Sequence, residues 1–88
     1  MRFERVPVEC YSGHRANERP LAFVHRGRRY EVAHIVDRWY EGGTSPDRPV
    51  QDYFKVETAG GERFILRYTS LFDAWSVLVT GHEGHEDK

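Results

Sequence analysis

Two five-residue segments flank Arg26-Gly27 and answer one another across it: Leu21-Ala22-Phe23-Val24-His25 before, Arg28-Arg29-Tyr30-Glu31-Val32 after. A two-residue turn at 26–27 sets Phe23 opposite Tyr30 and Leu21 opposite Val32, which makes one continuous apolar face. The same register sets His25 against Arg28 and Val24 against Arg29. Gly27 supplies the positive φ that the favoured hairpin turns demand and that side-chain-bearing residues reach only with strain. The chain is therefore read as β at this point, with Arg26, Arg28 and Arg29 gathered at an exposed tip. Nothing in the hairpin specifies an activity.

A second hairpin has a register that turn length decides. Residues 52–58 and 62–68 carry Phe54, Val56, Phe64 and Leu66. A two-residue Gly60-Gly61 turn would set Glu57 opposite Phe64 and Lys55 opposite Leu66, mixing charge with core. A three-residue loop, Ala59-Gly60-Gly61, sets Val56 opposite Phe64 and Phe54 opposite Leu66. The outer face then matches Glu57 with Arg63 as an ion pair and Tyr53 with Arg67 as a cation–π contact. This register is adopted, with Gly61 at the left-handed position of a bulged turn.

The remaining chain is read around these two units. In residues 5–11, Val6, Val8 and Cys10 alternate with Arg5, Pro7, Glu9 and Tyr11, the pattern of a half-buried strand. Pro7 has no N–H to donate, so this is an edge strand or the start of one. Residues 12–20 are a polar loop, and 42–50, with Ser45-Pro46-Asp47, another. Between them Val32, Ile35, Val36, Trp39 and Tyr40 fit the spacing of an amphipathic helix that Gly42-Gly43 would stop. The same segment is short, rich in β-branched and aromatic residues and continuous with a strand. The strand reading is preferred over residues 33–41; it needs a bulge near Ala33-His34 to turn Ile35 and Trp39 inward. Residues 69–74 form a turn or a single helical turn, and Trp75, Val77 and Val79 alternate as a last strand.

The fold expected is all-β: one small barrel or strongly coiled antiparallel sheet of five to six strands over residues 1–80, with a disordered polar tail at 81–88. Its core is expected to hold Phe23, Tyr30, Val32, Trp39, Phe54, Val56, Phe64, Leu66 and Trp75. At 88 residues, 39% hydrophobic and 31% charged, the chain has material for one modest core. No apolar run approaches the roughly 20 residues of a membrane span, and the charged N-terminus precedes no apolar leader. Cys10 is the single cysteine, so no internal disulfide forms, and a cytoplasmic monomer is expected.

Few residue patterns suggest chemistry. His82 and His85 with Glu83, Glu86 and Asp87 have metal-ligand spacing, but a tail with no apolar residue cannot hold ligands rigid, so no metal is assigned. Cys10 and His14 lack a second cysteine for zinc, and alternation places Cys10 on the apolar face as a buried thiol. Asp37, Glu41, Asp47 and Asp52 are loop and strand carboxylates with no cleft to face across. Asp37 is expected on the face of Ile35 and Trp39, paired with an arginine. No nucleotide-binding or hydrolase motif occurs, so no enzyme activity and no cofactor are expected. Of the 13 basic residues only Lys55 and Lys88 are lysine. Arginine suits planar recognition of carboxylate or phosphate, although a net charge of −1 is not the footprint of a general nucleic-acid binder. The candidate binding residues are Arg26, Arg28, Arg29, Tyr40 and Tyr53. The function expected is a non-enzymatic protein-interaction module; the alternative is a single-stranded nucleic-acid accessory module that uses the arginine hairpin for phosphate and the rings for stacking.

The segments Phe23-Val24-His25-Arg26-Gly27-Arg28-Arg29-Tyr30-Glu31-Val32, Val36-Asp37-Arg38-Trp39, Tyr53-Phe54-Lys55-Val56, Phe64-Ile65-Leu66-Arg67-Tyr68 and Ala74-Trp75-Ser76-Val77-Leu78 together resemble a family of small uncharacterised bacterial proteins. Some of its members are associated with Y-family translesion polymerase proteins. The resemblance spans roughly residues 5–80 and rests on the spacing of Gly, Asp and Trp. It implies a bacterial cytoplasmic setting and a DNA-repair context, and it brings no catalytic residues. The near-neutral charge departs from that of a stand-alone DNA binder.

Overall fold

Seven antiparallel strands form one strongly curled, near-barrel sheet. The structure is a computed structural model and describes residues 2–10, 19–42, 47 and 50–79. The strands are β1 (Arg2–Arg5), β2 (Val8–Cys10), β3 (Pro20–His25), β4 (Arg28–Glu41), β5 (Gln51–Thr58), β6 (Arg63–Thr69) and β7 (Ala74–Val79), and their order across the sheet is β1-β7-β6-β5-β4-β3-β2. Among the described residues no helix is long and apolar enough to cross a membrane. The polar tail at 81–88, with its histidines, the loop around His14 and most of the 42–50 loop lie outside the described residues.

Seven strands replace the expected five or six because the N-terminal segment serves both edges of the sheet. Arg2–Arg5 pairs with β7, whereas Val8–Cys10 pairs with β3. Val6 and Pro7 make the crossing: Val6 N–H donates to the Trp75 carbonyl (3.1 Å), and the Pro7 carbonyl accepts from Val24 N–H (3.2 Å). Pro7 fits this junction because its missing donor is not needed there. Val6, Val8 and Cys10 point inward as their alternation predicts, with Val6 and Cys10 buried.

Both hairpins take the expected registers. Phe23 faces Tyr30, Val24 faces Arg29 and His25 faces Arg28 across a turn in which Arg26 (φ 55°) and Gly27 (φ 79°) both have positive φ. The first ladder ends at Ala22 and Glu31, however, so Leu21 does not join the core face and is 40% exposed. In the second hairpin Val56 faces Phe64, Phe54 faces Leu66 and Glu57 faces Arg63, closed by Gly61 at φ 93°. Arg63 and Glu57 form the expected ion pair at 3.1 Å. Ala59 N–H donates to the Glu31 carbonyl (2.8 Å), which fastens this turn to β4.

Strand β4 is continuous over residues 28–41, and its register against β5 shifts twice, between Val32 and His34 and again between Ile35 and Asp37. The first shift is the expected bulge at Ala33 and turns Ile35 toward Val56. The second, at Val36, corrects the expectation for Trp39. Each inserted residue reverses which face the following side chains take. Arg38 now lies over the Phe54 ring (4.7 Å), while Trp39 faces Tyr53 on the outside of the sheet. Asp37 is likewise exposed and faces Lys55, with no ion pair to an arginine among the described residues.

The core contains Val6, Phe23, Phe54, Val56, Leu66, Val77 and Val79, flanked by Val8, Tyr30, Val32, Ile35, Phe64 and Trp75. Phe23, Tyr30 and Phe64 pack ring to ring at 4.8–5.2 Å. Trp75 meets Phe54 and Tyr68 at 5.5 and 5.3 Å. Every expected core residue except Trp39 is in or against this cluster.

Candidate functional site

The hairpin arginines are not a free basic tip. Arg26 bonds Glu4 on β1 (3.3 Å), Arg28 reaches Glu62 after the second turn (3.6 Å), and Arg29 pairs with Glu9 on β2 (3.1 Å) and Glu31 beside it (2.9 Å). Arg2 also binds Glu4, so four arginines meet four glutamates and the tip is electrically balanced. Arg26 and Arg2 hold the Glu4 carboxyl below its ordinary pKa, and Glu9 and then Glu31 push the Arg29 guanidinium up. Nor do the arginines share a face. Arg28 lies on the His25 side, over the Tyr30 ring (4.9 Å), and Arg29 on the opposite, Val24 side.

Tyr40 and Tyr53 are at the far end of β4, about eleven residues or roughly 35 Å along the strand from Arg29. They also take opposite faces, because Tyr40 is opposite Asp52 and Tyr53 opposite Trp39. The five candidate residues therefore do not form one site. The expected contact between Tyr53 and Arg67 is not made either: the Arg67 guanidinium lies 3.8 Å from the Phe3 ring centre instead.

Two other features emerge at the Tyr40 end. The first is a row across the outer face of the sheet. Trp39 and Tyr53 stack with planes 2° apart and centroids at 5.3 Å, and Phe3 meets Tyr53 edge-on at 6.2 Å. Ladder pairs carry the row on from Tyr53 to Arg67, Ser76 and Arg5. Arg5, Lys55 and Arg67 have no ion pair among the described residues, and the Arg67 Nε is shielded from solvent without an acceptor. The Tyr53 hydroxyl is 3.2 Å from Glu41 and 3.1 Å from Gln51, and its single proton serves one of them at a time.

The second is the edge of β4 itself. Strand β3 pairs only with the first residues of β4, up to Glu31, so among the described residues 32–41 are bonded to β5 alone. A bare strand edge is a row of unmet donors and acceptors. Over the end of the β4–β5 pair lies an open groove of ≈ 680 Å³ lined by Arg38, Trp39, Tyr40, Val50 and Asp52. Tyr40 is 70% exposed, and Leu71 and Phe72 protrude from the β6–β7 turn at 65% and 68%. That turn is tied to Val50, whose carbonyl accepts from Ser70 N–H (3.3 Å) and Ser70 Oγ (3.1 Å).

Sequence reasoning missed the row because the face of Trp39 depends on the second bulge, which has no turn residue to announce it, and missed the edge because that depends on where β3 stops pairing with β4. Phe3 lies outside the alternating segment at residues 5–11, so no strand pattern points to it. Among the described residues no group of three or more His, Cys, Asp or Glu side chains has the arrangement of a metal site. Comparison of the chain with protein-family models, curated proteins and solved structures finds no match.

Proposed function

We propose that this domain is a non-enzymatic docking module that receives an extended segment of a partner protein along the free edge of β4. The observation that carries this reading is the length of strand over residues 32–41 that, among the described residues, pairs only with β5, with an open groove over the end of that pair and exposed apolar side chains at the same end. Strand addition draws affinity from main-chain hydrogen bonds and selectivity from pockets for alternate side chains. The carboxylates already bound to Arg26, Arg28 and Arg29 support the view that the hairpin arginines solubilise and brace the tip. Selection of a random displayed peptide library against the folded domain tests the proposal. Enriched peptides should be β-formers that shift the amide signals of residues 36–41; enriched sequences that shift only the Arg26–Arg29 end would refute it.

A second reading, a single-stranded nucleic-acid accessory module, is favoured by the outer-face row rather than by the hairpin. Trp39, Tyr53 and Phe3 offer rings, and Arg5, Lys55 and Arg67 are cations without carboxylate partners among the described residues. Three phosphate contacts would give a log–log salt slope of about −2 for a labelled oligonucleotide. Docking to protein predicts no oligonucleotide binding at 100 mM salt, taking roughly 10⁻⁴ M as the weak limit of non-specific affinity.

A further inference from the structure

We infer that the segment received by β4 is cationic, with an arginine or lysine seated opposite Trp39 between Asp37 and Glu41. This rests on the strand-addition reading above and names the chemistry of the occupant. After the second bulge Asp37, Trp39 and Glu41 all lie on the outer face, opposite Lys55, Tyr53 and Gln51. A strand added to the free edge would place one side chain directly against Trp39, with the two carboxylates flanking it one pleat away on either side. Neither carboxylate is in an ion pair among the described residues: Asp37 accepts the Arg38 N–H (2.8 Å), and Glu41 lies within reach of the Tyr53 hydroxyl. The indole is held flat against Tyr53, so its orientation is set before any ligand arrives. Two carboxylates bracketing a fixed aromatic ring suit a guanidinium or ammonium group, which gains from the ring and from both charges.

The same charges disfavour a second copy of this chain as the occupant. Antiparallel self-pairing centred on Arg38 would set Arg38 against Arg38. Centring it on Trp39 would set Asp37 against Glu41. Like charges directly opposite destabilise a strand pair, and these are the two self-registers that use the whole of residues 36–41. An acidic ligand is disfavoured on the outer side for the same reason, and an oligonucleotide would bring phosphates toward Asp37 and Glu41.

The test uses the whole chain and three capped peptides of equal length: valine alternating with arginine, with glutamate, and with threonine. Binding is followed by amide shifts and by hydrogen exchange of residues 36–41. The arginine peptide should bind tightest and slow exchange along that stretch. Asp37→Asn and Glu41→Gln should each weaken it about threefold, and Trp39→Ala about fivefold. Reversing both charges with Asp37→Lys and Glu41→Lys should transfer preference to the glutamate peptide, a result that loss of folding cannot imitate. Equal binding of the arginine and threonine peptides on residues 36–41 would overturn the cationic assignment and leave strand addition standing. An arginine peptide whose affinity survives N-methylation of its backbone amides in either register would overturn strand addition itself. Dimerisation of the chain through these residues, or displacement of the peptide from them by oligothymidylate, would overturn the choice of occupant.

Discussion

Replacing Phe54 and Trp39 separately by alanine tests the second bulge of β4, on which both binding proposals depend. Phe54 is fully enclosed, with Trp75 at 5.5 Å on the core side and the Arg38 guanidinium over its ring at 4.7 Å. Removing a buried ring costs about 3–5 kcal/mol. A domain of 88 residues has roughly 4–13 kcal/mol of stability in all, at about 0.05–0.15 kcal/mol per residue. Phe54→Ala should therefore remove between about a quarter and all of that stability. Trp39 is on the outer face and half-buried, and alanine there forfeits the Tyr53 stack, worth about 0.5–1.5 kcal/mol. Adding the ring's limited burial, the loss should stay near 1–2 kcal/mol. Urea titrations followed by far-ultraviolet circular dichroism give both values, provided the m-value holds steady. Were β4 bulged only at Ala33, Trp39 would point inward and its removal would match that of Phe54. A Trp39→Ala loss of about 3 kcal/mol or more would therefore refute the face reversal, and the outer row and the Asp37–Trp39–Glu41 arrangement with it.

The Glu4 carboxyl, bound by Arg26 and Arg2, should titrate below its ordinary 4.5 in a side-chain NMR titration. Because the folded value is the lower one, its stabilisation is present above 4.5 and lost as pH falls through the folded value; Arg26→Ala should move the midpoint back up. Tyr68, raised to about 12 first by burial and then by its hydrogen bond to Asp73, should ionise well above the ordinary 10 in an ultraviolet titration. Its contribution is whole below 10 and disappears as pH climbs toward about 12, and Asp73→Asn should lower the midpoint only in part, since burial is the larger cause. Gly61→Ala meets open space, so its effect is backbone strain alone at φ 93°, about 1–2 kcal/mol in denaturant titration. No loss there would mean the second turn is not held at positive φ.

Local rules made both hairpins legible. Gly27 with its neighbours sets a two-residue turn, and period-two alternation allows only the three-residue loop to bring Val56 to Phe64 and Phe54 to Leu66. These choices depend on residues a few positions apart, so they can be read along the chain. The first bulge of β4 was legible for the same reason: without it Val32 and Ile35 cannot both face inward. The candidate site was far less legible. Of the five residues proposed from sequence, three are bound to carboxylates and the two tyrosines lie on opposite faces.

By itself, then, the sequence determined strand identity, turn type and the pairing of neighbouring strands, because each is a contest between short-range sterics and the burial of a few apolar side chains. Tertiary structure alone decided what depends on distant segments meeting. The crossing at Val6-Pro7 delivers Glu4 to Arg26 and Glu9 to Arg29, turning an apparent basic tip into a balanced one. The ladder between β3 and β4 stops at Ala22 and Glu31, so among the described residues 32–41 pair with β5 alone. The shift at Val36 puts Trp39 outside. Which face an aromatic residue takes, and which glutamate an arginine finds, follows from how the whole sheet curls, and no window of neighbouring residues contains that curvature.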